Sequence, residues 1–406
     1  MLTGLEIAAG VPLPSVRAEP GLARTTLEPR EALDRAVRRA LERSPCLVSF
    51  SGGCDSSLVL AAAVRVARRE GLPAPVPVTM VSRGESAAEE RAWQEEVVRY
   101  LGVDAWERVE VGEELDCVGP VARDVLLRHG VLWPPNAHFH VLQLQLAPGG
   151  SLLTGIGGDE LFSRSSWARL RSVLAVRAVP VPRDALRLAA AAAPSPVRRR
   201  VAAARGGPQL PWLRPEAQGQ VTRALAREAA DEPVRWRARF AWLLSQRYVS
   251  LGVQGLEELA REHGVAIHHP LLDRDFAAAL ASLPRSRRFE DRPQALTSLF
   301  GDLLPPAVAS RRSKASFAGV LWGPESDAFA RRWNGDGVDP EIVDVDALGR
   351  RWHDERQPGP HTLLQSLWLA EARQTAPSAS SRRSSAPGSA SQERGLRSSH
   401  AGSALS

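Results

Sequence analysis

Residues 46–57, CLVSFSGGCDSS, decide how the rest of the chain is read. CLVSF is an apolar run of strand length. SLVLAAAVRVARREG, at 57–71, has the composition of a buried helix and ends on Gly71. Between them, two glycines let the backbone turn tightly enough for amides to approach a ligand. Strand, glycine turn and helix in that order open a βαβ unit.

Working outward, the pattern repeats. PVPVTMVS (75–82) reads as a second strand and SAAEERAWQEEVVRYLG (86–102) as its helix. WERVEV (106–111) is a third strand, and ELDCVGPVARDVLLRHG (114–130) is mostly helical. A helix near 136–147 precedes a fourth strand, GSLLTG (150–155). Upstream, PREALDRAVRRALERS (29–44) has the helical period, and VAIHHPLLD (265–273) contains a buried strand end. The expected fold class is therefore α/β: a parallel, twisted sheet of about five strands with helices on both faces. A helical insertion and a helical C-terminal part are added to it. In domain terms, 1–28 reads as a loose N-terminal arm and 29–372 as one domain with an insertion or lid at 171–230. The Ser/Ala/Arg-rich stretch 373–406 reads as a disordered tail.

Composition excludes several classes. The net charge of +6 would suit nucleic acid, but residues 373–406 hold five arginines against Glu393, a net of +4. The remaining body is near neutral, so no nucleic-acid partner is expected. Cys46, Cys54 and Cys117 form no paired motif and fit a reducing compartment. No stretch has the length and apolarity of a membrane span, and the N-terminus lacks a basic region before an apolar run. A cytoplasmic location is expected.

The chemistry begins in the two glycine loops. Ser51, Gly52, Gly53, Ser56 and Ser57 offer amides and hydroxyls at a helix N-terminus, a natural anion site. Asp55 would repel phosphate unless a cation bridges the two, which implies Mg²⁺. The Gly-Lys-Ser/Thr ending of a Walker loop is absent. LLTGIGGDELF (152–162) repeats glycines plus aspartate after the fourth strand, and Asp159 is a natural second ligand for the metal. A third feature is compositional. Of 52 lysines and arginines, all but one are arginine; the exception is Lys314, in SRRSKASF (310–317).

FSGGCDSS, TGIGGDE, HHPLLDRDF and SRRSKASF occur in this order, and together the chain resembles the synthetase domain of the asparagine synthetase family over about residues 29–372. That family belongs to the PP-loop ATP pyrophosphatases, which split ATP between the α and β phosphates. The resemblance implies adenylation of a carboxylate, then attack by an amine or ammonia to form an amide, with ATP and Mg²⁺ as cofactors. It implies that Ser51, Gly52, Gly53, Asp55, Ser56 and Ser57 grip pyrophosphate and metal, and that Phe50 and Val81 hold adenine. Thr154 and Gly155 would bind the AMP part, Asp55 and Asp159 the metal, and Lys314 would be the catalytic lysine. A compact ammonium can follow charge that builds on a phosphate or an oxyanion, which a planar guanidinium does less well. The arginines around Lys314 read as solvated surface or phosphate steering.

Two departures from the family pattern limit the reading. The phosphate loop starts at 51 and residue 2 is Leu, so the expectation is that no glutaminase of the usual kind feeds this site. The partners are then a carboxylate substrate and an amine or ammonia donor, with a separate glutaminase or a precursor peptide as candidates. Ile156 stands where asparagine synthetases carry a glutamate that serves substrate binding and catalysis. β-Lactam synthetases and lasso-peptide cyclases also vary there, which favours a carboxylate other than aspartate, in a specialised biosynthetic pathway. His268 and His269 are expected to be structural, because neighbours in a strand face opposite ways. Asp273 is expected to cap a helix, and Tyr248, Glu257 and Glu258 are acid/base candidates. Competing readings are a partner- or ammonia-dependent asparagine synthetase, a tRNA-modifying PP-loop enzyme and a non-catalytic scaffold.

Overall fold

A computed structural model of the chain describes residues 1–15, 21–82, 85–175, 178–312, 318–354 and 359–375. Its centre is a five-stranded sheet made of β1 (Cys46–Ser49), β2 (Val76–Ser82), β3 (Glu107–Val111), β4 (Ser151–Leu153) and β5 (Ala266–His268). The strand order is β3-β2-β1-β4-β5, and every pairing is parallel. This is the α/β class expected from the alternation of apolar runs and helical stretches.

Side chains on β1 alternate as a strand requires. Cys46, Val48 and Phe50 enter one core, with Leu58, Val59 and Phe276, while Leu47 enters the other, with Val78, Leu152 and Leu256. The helices supply both covers: α1 (Gly4–Ala9), α2 (Pro29–Leu41), α3 (Cys54–Glu70), α4 (Glu85–Leu101), α5 (Pro120–His129), α6 (Phe139–Leu144) and α7 (Gly158–Phe162). They continue with α8 (Ala168–Leu174), α9 (Pro182–Ala192), α10 (Ser195–Ala204), α11 (Pro215–Asp231), α12 (Trp236–Leu244), α13 (Arg247–Glu262), α14 (Arg274–Ser282) and α15 (Arg292–Phe300). The segment read as an insertion thus contains α8 to α11. A third apolar cluster, with Trp212, Trp333 and Trp352, joins the later helices to His361–Thr375.

The N-terminal stretch departs from the loose arm expected. Thr3 and Glu6 form a reciprocal cap on α1, and Ala8 and Ala9 are buried in the third cluster. Glu6 also pairs with Arg247, and Trp212 Nε1 donates to Ala8 O at 2.8 Å. Partners this far away in sequence cannot be read from local period. Residues 376–406, which hold most of the expected tail, lie outside the described residues.

The strand order fixes where a ligand can sit. Winding runs outward from β1 through β2 to β3, then returns to β4 on the other side. Ligands in open parallel sheets bind beyond the strand ends at such a reversal. The loops leaving β1 and β4 are the two glycine loops.

Candidate active site

The β1 loop is shaped by its own hydroxyls. Ser51 Oγ accepts from Gly53 N at 3.3 Å and lies 3.1 Å from Ser56 Oγ, which donates to Gly53 O at 3.1 Å. Gly52 has φ +80°, and a Cβ there would come within 2.7 Å of Gln94 Cγ. Gln94 Nε2 in turn donates to Ser51 O at 3.1 Å. Gly53 precedes the first turn of α3 and has no side chain to cap it, so the first amides stay open to an anion.

The β4 loop is pressed against the first. A Cβ on Gly155 would stand 2.8 Å from Ser56 N, and one on Gly158 would stand 2.1 Å from Asp55 Cγ. Gly157 adopts φ +103° under Leu272. These glycines hold the carboxylates together by leaving out the atoms that would separate them. Gly158→Ala should therefore displace Asp55 and lower ATP affinity at least tenfold, a result that equilibrium dialysis would read directly.

Asp55 and Asp159 converge on Arg292, the first residue of α15. Its Nη2 lies 3.4 Å from Asp55 Oδ2 and is hydrogen-bonded to Asp159 Oδ1. Burial works against the guanidinium's charge, but the two carboxylates outweigh it and hold its pKa above the usual value. The three residues line a cavity of about 230 Å³ together with Ser51, Gly53, Ser56, Thr154, Gly155 and Ile156. Two carboxylates are the protein's usual share of a Mg²⁺ site, the rest being water and phosphate oxygens. Among the described residues no cluster of three or more acidic, His or Cys side chains is placed to hold a metal alone. The residues present fit a metal that arrives with a nucleotide.

Not every residue read from the sequence reaches the cavity. The Phe50 side chain is buried in the core, edge-on to Trp106 at 6.3 Å, so it cannot stack on a base without repacking. Ser57 is fully buried behind the loop, on the inward face of α3. Val81 is half-buried on β2, paired with Glu110. Glu257 is exposed on α13 and Glu258 is paired with Arg261, so neither faces the site. Tyr248 is nearer: burial, then Glu160, Glu228 and Asp159, push its pKa well above the ordinary phenol value. Lys314 lies outside the described residues.

The structure adds residues the motifs did not announce. Of the two readings given for these arginines, solvated surface or phosphate steering, Arg311 departs from the first: it is buried, pairs with Glu90 and lies 4.8 Å from the Trp93 ring. Arg311, Glu90 and His140 all line the cavity. Cys54 lines it too, but burial, then Asp55, raise its thiol pKa, so it stays a neutral thiol. Arg292 could have been suspected only because EDRPQ reads as a capped helix start; its partners are more than a hundred residues away.

Histidines buttress the floor. His269 Nδ1 lies 2.7 Å from Thr154 Oγ1, and Thr154 N donates to His268 O at 3.0 Å. Asp273 caps α14 by accepting from Asp275 N and Phe276 N. Burial drives His269 down to about 3 and His140 to about 4, so both are neutral at pH 7. Their folded pKa values lie below the unfolded value near 6.5, so their contribution is fully present above pH 6.5 and lost as pH falls toward 4 and 3. A thermal-shift series should show the melting temperature dropping through that window, less steeply in His269→Gln.

The sheet and its paired loops define a PP-loop-type nucleotide fold. A family model described as asparagine synthase matches residues 28–376. The chain belongs to that family, one of ATP-dependent amide-forming ligases. No individually curated protein matches it in sequence. Among the described residues no helix is long and apolar enough to cross a membrane.

Proposed function

We propose that this cavity activates a carboxylate with ATP, releasing pyrophosphate, and passes the acyl group from AMP to an amine or ammonia. The observation that carries the reading is the convergence of Asp55 and Asp159, from the two strand-end loops, on one basic side chain inside one cavity. Mg²⁺, held by these carboxylates, would neutralise the phosphates and stabilise the leaving pyrophosphate. The open amides of α3, with the Ser51 and Ser56 hydroxyls, bind and orient the phosphate chain. Arg292, beside both carboxylates, is the basic side chain that would turn to the pyrophosphate if those carboxylates held a metal. Thr154, fixed by His269, and Gly155 fit the AMP end. Lys314 supplies the positive charge that follows the reacting phosphate and oxyanion.

The acyl acceptor and donor meet a less polar wall than an aspartate-specific site would offer. Ile156 lines the cavity, and an aliphatic side chain cannot pair with an α-amino group or take up a proton. The reading is therefore of a carboxylate other than aspartate. Incubation with candidate acids should give AMP and pyrophosphate only with the true substrate, and aspartate should give none. Release of ADP and phosphate would overturn the adenylation reading. Formation of asparagine from aspartate would replace the substrate reading.

A further inference from the structure

A second cavity, of about 270 Å³, lies beside α8 and the start of α12. Its charged walls are Arg171, Arg235, Arg285 and Arg288, against the single carboxylate Glu290, which accepts from Ser172 Oγ. Its apolar walls include Trp236, Phe289 and Leu174. Arg171 and Arg288 each approach the Trp236 ring, at 5.7 and 5.6 Å. Arg171 Nη1 donates to Val234 O at 3.3 Å and Arg288 Nε to Leu283 O at 3.2 Å. Burial, with Arg239 and Arg288 nearby, lowers Arg171 to about 10 against the pull of Glu232 and Glu290.

Arg288 also lines a larger, open cavity of about 740 Å³ with Arg24, Arg237, Thr25 and Ser282, and no carboxylate in its walls. On the other side, Leu174 is 58% exposed and leads into α9 and α10. Seven of the eleven large apolar side chains that stand exposed among the described residues fall between 174 and 201, with Val179 at 82% and Leu186 at 72%. The same α9–α10 stretch, 182–204, carries five arginines against Asp184. Positive, hydrogen-bonding and apolar surfaces thus run together across two cavities and a helix pair.

We propose that this surface docks an acidic polypeptide segment carrying apolar side chains. Carboxylates would meet the arginine walls, and leucine-like side chains would cover Leu174 and α9. A small anion would fill one cavity and leave the apolar helices uncovered. A planar bilayer cannot enter the concave cavities, and the exposed apolar residues are aliphatic, which offers nucleic-acid bases no stacking face. The surface adjoins the reactive cavity along the chain on both sides: α8 follows the Asp159 loop, and Arg288 to Glu290 immediately precede the Asp291 cap and Arg292. The proposal stands on charge and shape and is independent of the reaction proposed above.

The test is fluorescence anisotropy on the full chain, with a labelled short peptide in which glutamates alternate with leucines. Its glutamine counterpart, a single-stranded oligonucleotide and phosphatidylglycerol vesicles are run beside it. The glutamate peptide should bind, with affinity falling as salt rises, and the others should not match it. Arg235→Glu and Arg285→Glu, both exposed at the mouth, should each weaken it roughly tenfold. Leu186→Ser should weaken it with the salt dependence intact. Circular dichroism and ATP binding must be unchanged in all three, because none touches the nucleotide cavity. Equal binding of the glutamine peptide, preference for oligonucleotide or vesicles, failure of the glutamate peptide to bind, or indifference to the arginine reversals would each overturn the proposal.

Discussion

Arg292→Met should lower ATP–pyrophosphate exchange by about 10²- to 10³-fold, the usual cost of removing a charge aimed at a developing anion. It should also make the fold depend on Mg²⁺. Without the guanidinium, Asp55 and Asp159 lose a cation that both of them approach. Asp159 is 53% exposed, so its share of the pair is worth only the ~1 kcal/mol of a surface contact. Asp55 is 15% exposed, and losing Arg292 costs it more, toward the about 3 kcal/mol lower end for broken buried pairs. The melting temperature of the variant should therefore fall, then recover on adding Mg²⁺ alone, while the wild-type chain responds weakly. A variant that keeps full exchange, or whose stability ignores Mg²⁺, would remove Arg292 from the site.

The second large effect is expected at Lys314. Lys314→Arg keeps the charge and changes its shape, replacing a compact ammonium on a flexible stem with a rigid planar fork. Product formation should drop by about 10²-fold or more, with ATP affinity within a few-fold of wild type. Single-turnover measurement with separate detection of AMP and amide would tell which step has slowed. Normal turnover in the arginine variant would sink the assignment, since the chain's preference for arginine would then be the whole explanation of this position.

The sheet was legible because its evidence is local. Apolar runs of strand length, Gly71 and Gly102 closing helices, and the period of 29–44 each depend on residues a few positions apart. The glycine loops were legible for the same reason: tight turns and close approach need glycine at particular places. What the sequence marked less well were side chains whose role depends on the face they occupy. Phe50 and Ser57 sit inside the phosphate motif, yet strand and helix geometry turn them into the core. Glu257 and Glu258 had suitable chemistry, but α13 presents them outward.

By itself, then, the sequence determined the class of fold and the two glycine loops, both carried by short-range backbone requirements, and marked the odd lysine by composition. Tertiary structure alone decided which charges meet. Asp55 and Asp159 are neighbours because β1 and β4 are adjacent at the point where winding reverses. Arg292 stands between them because α15 brings it back across the chain. Arg311 became buried because Glu90 and Trp93 on α4 offer it a charge and a ring. Pairings of that kind depend on distance in space, which a one-dimensional pattern of residues does not contain.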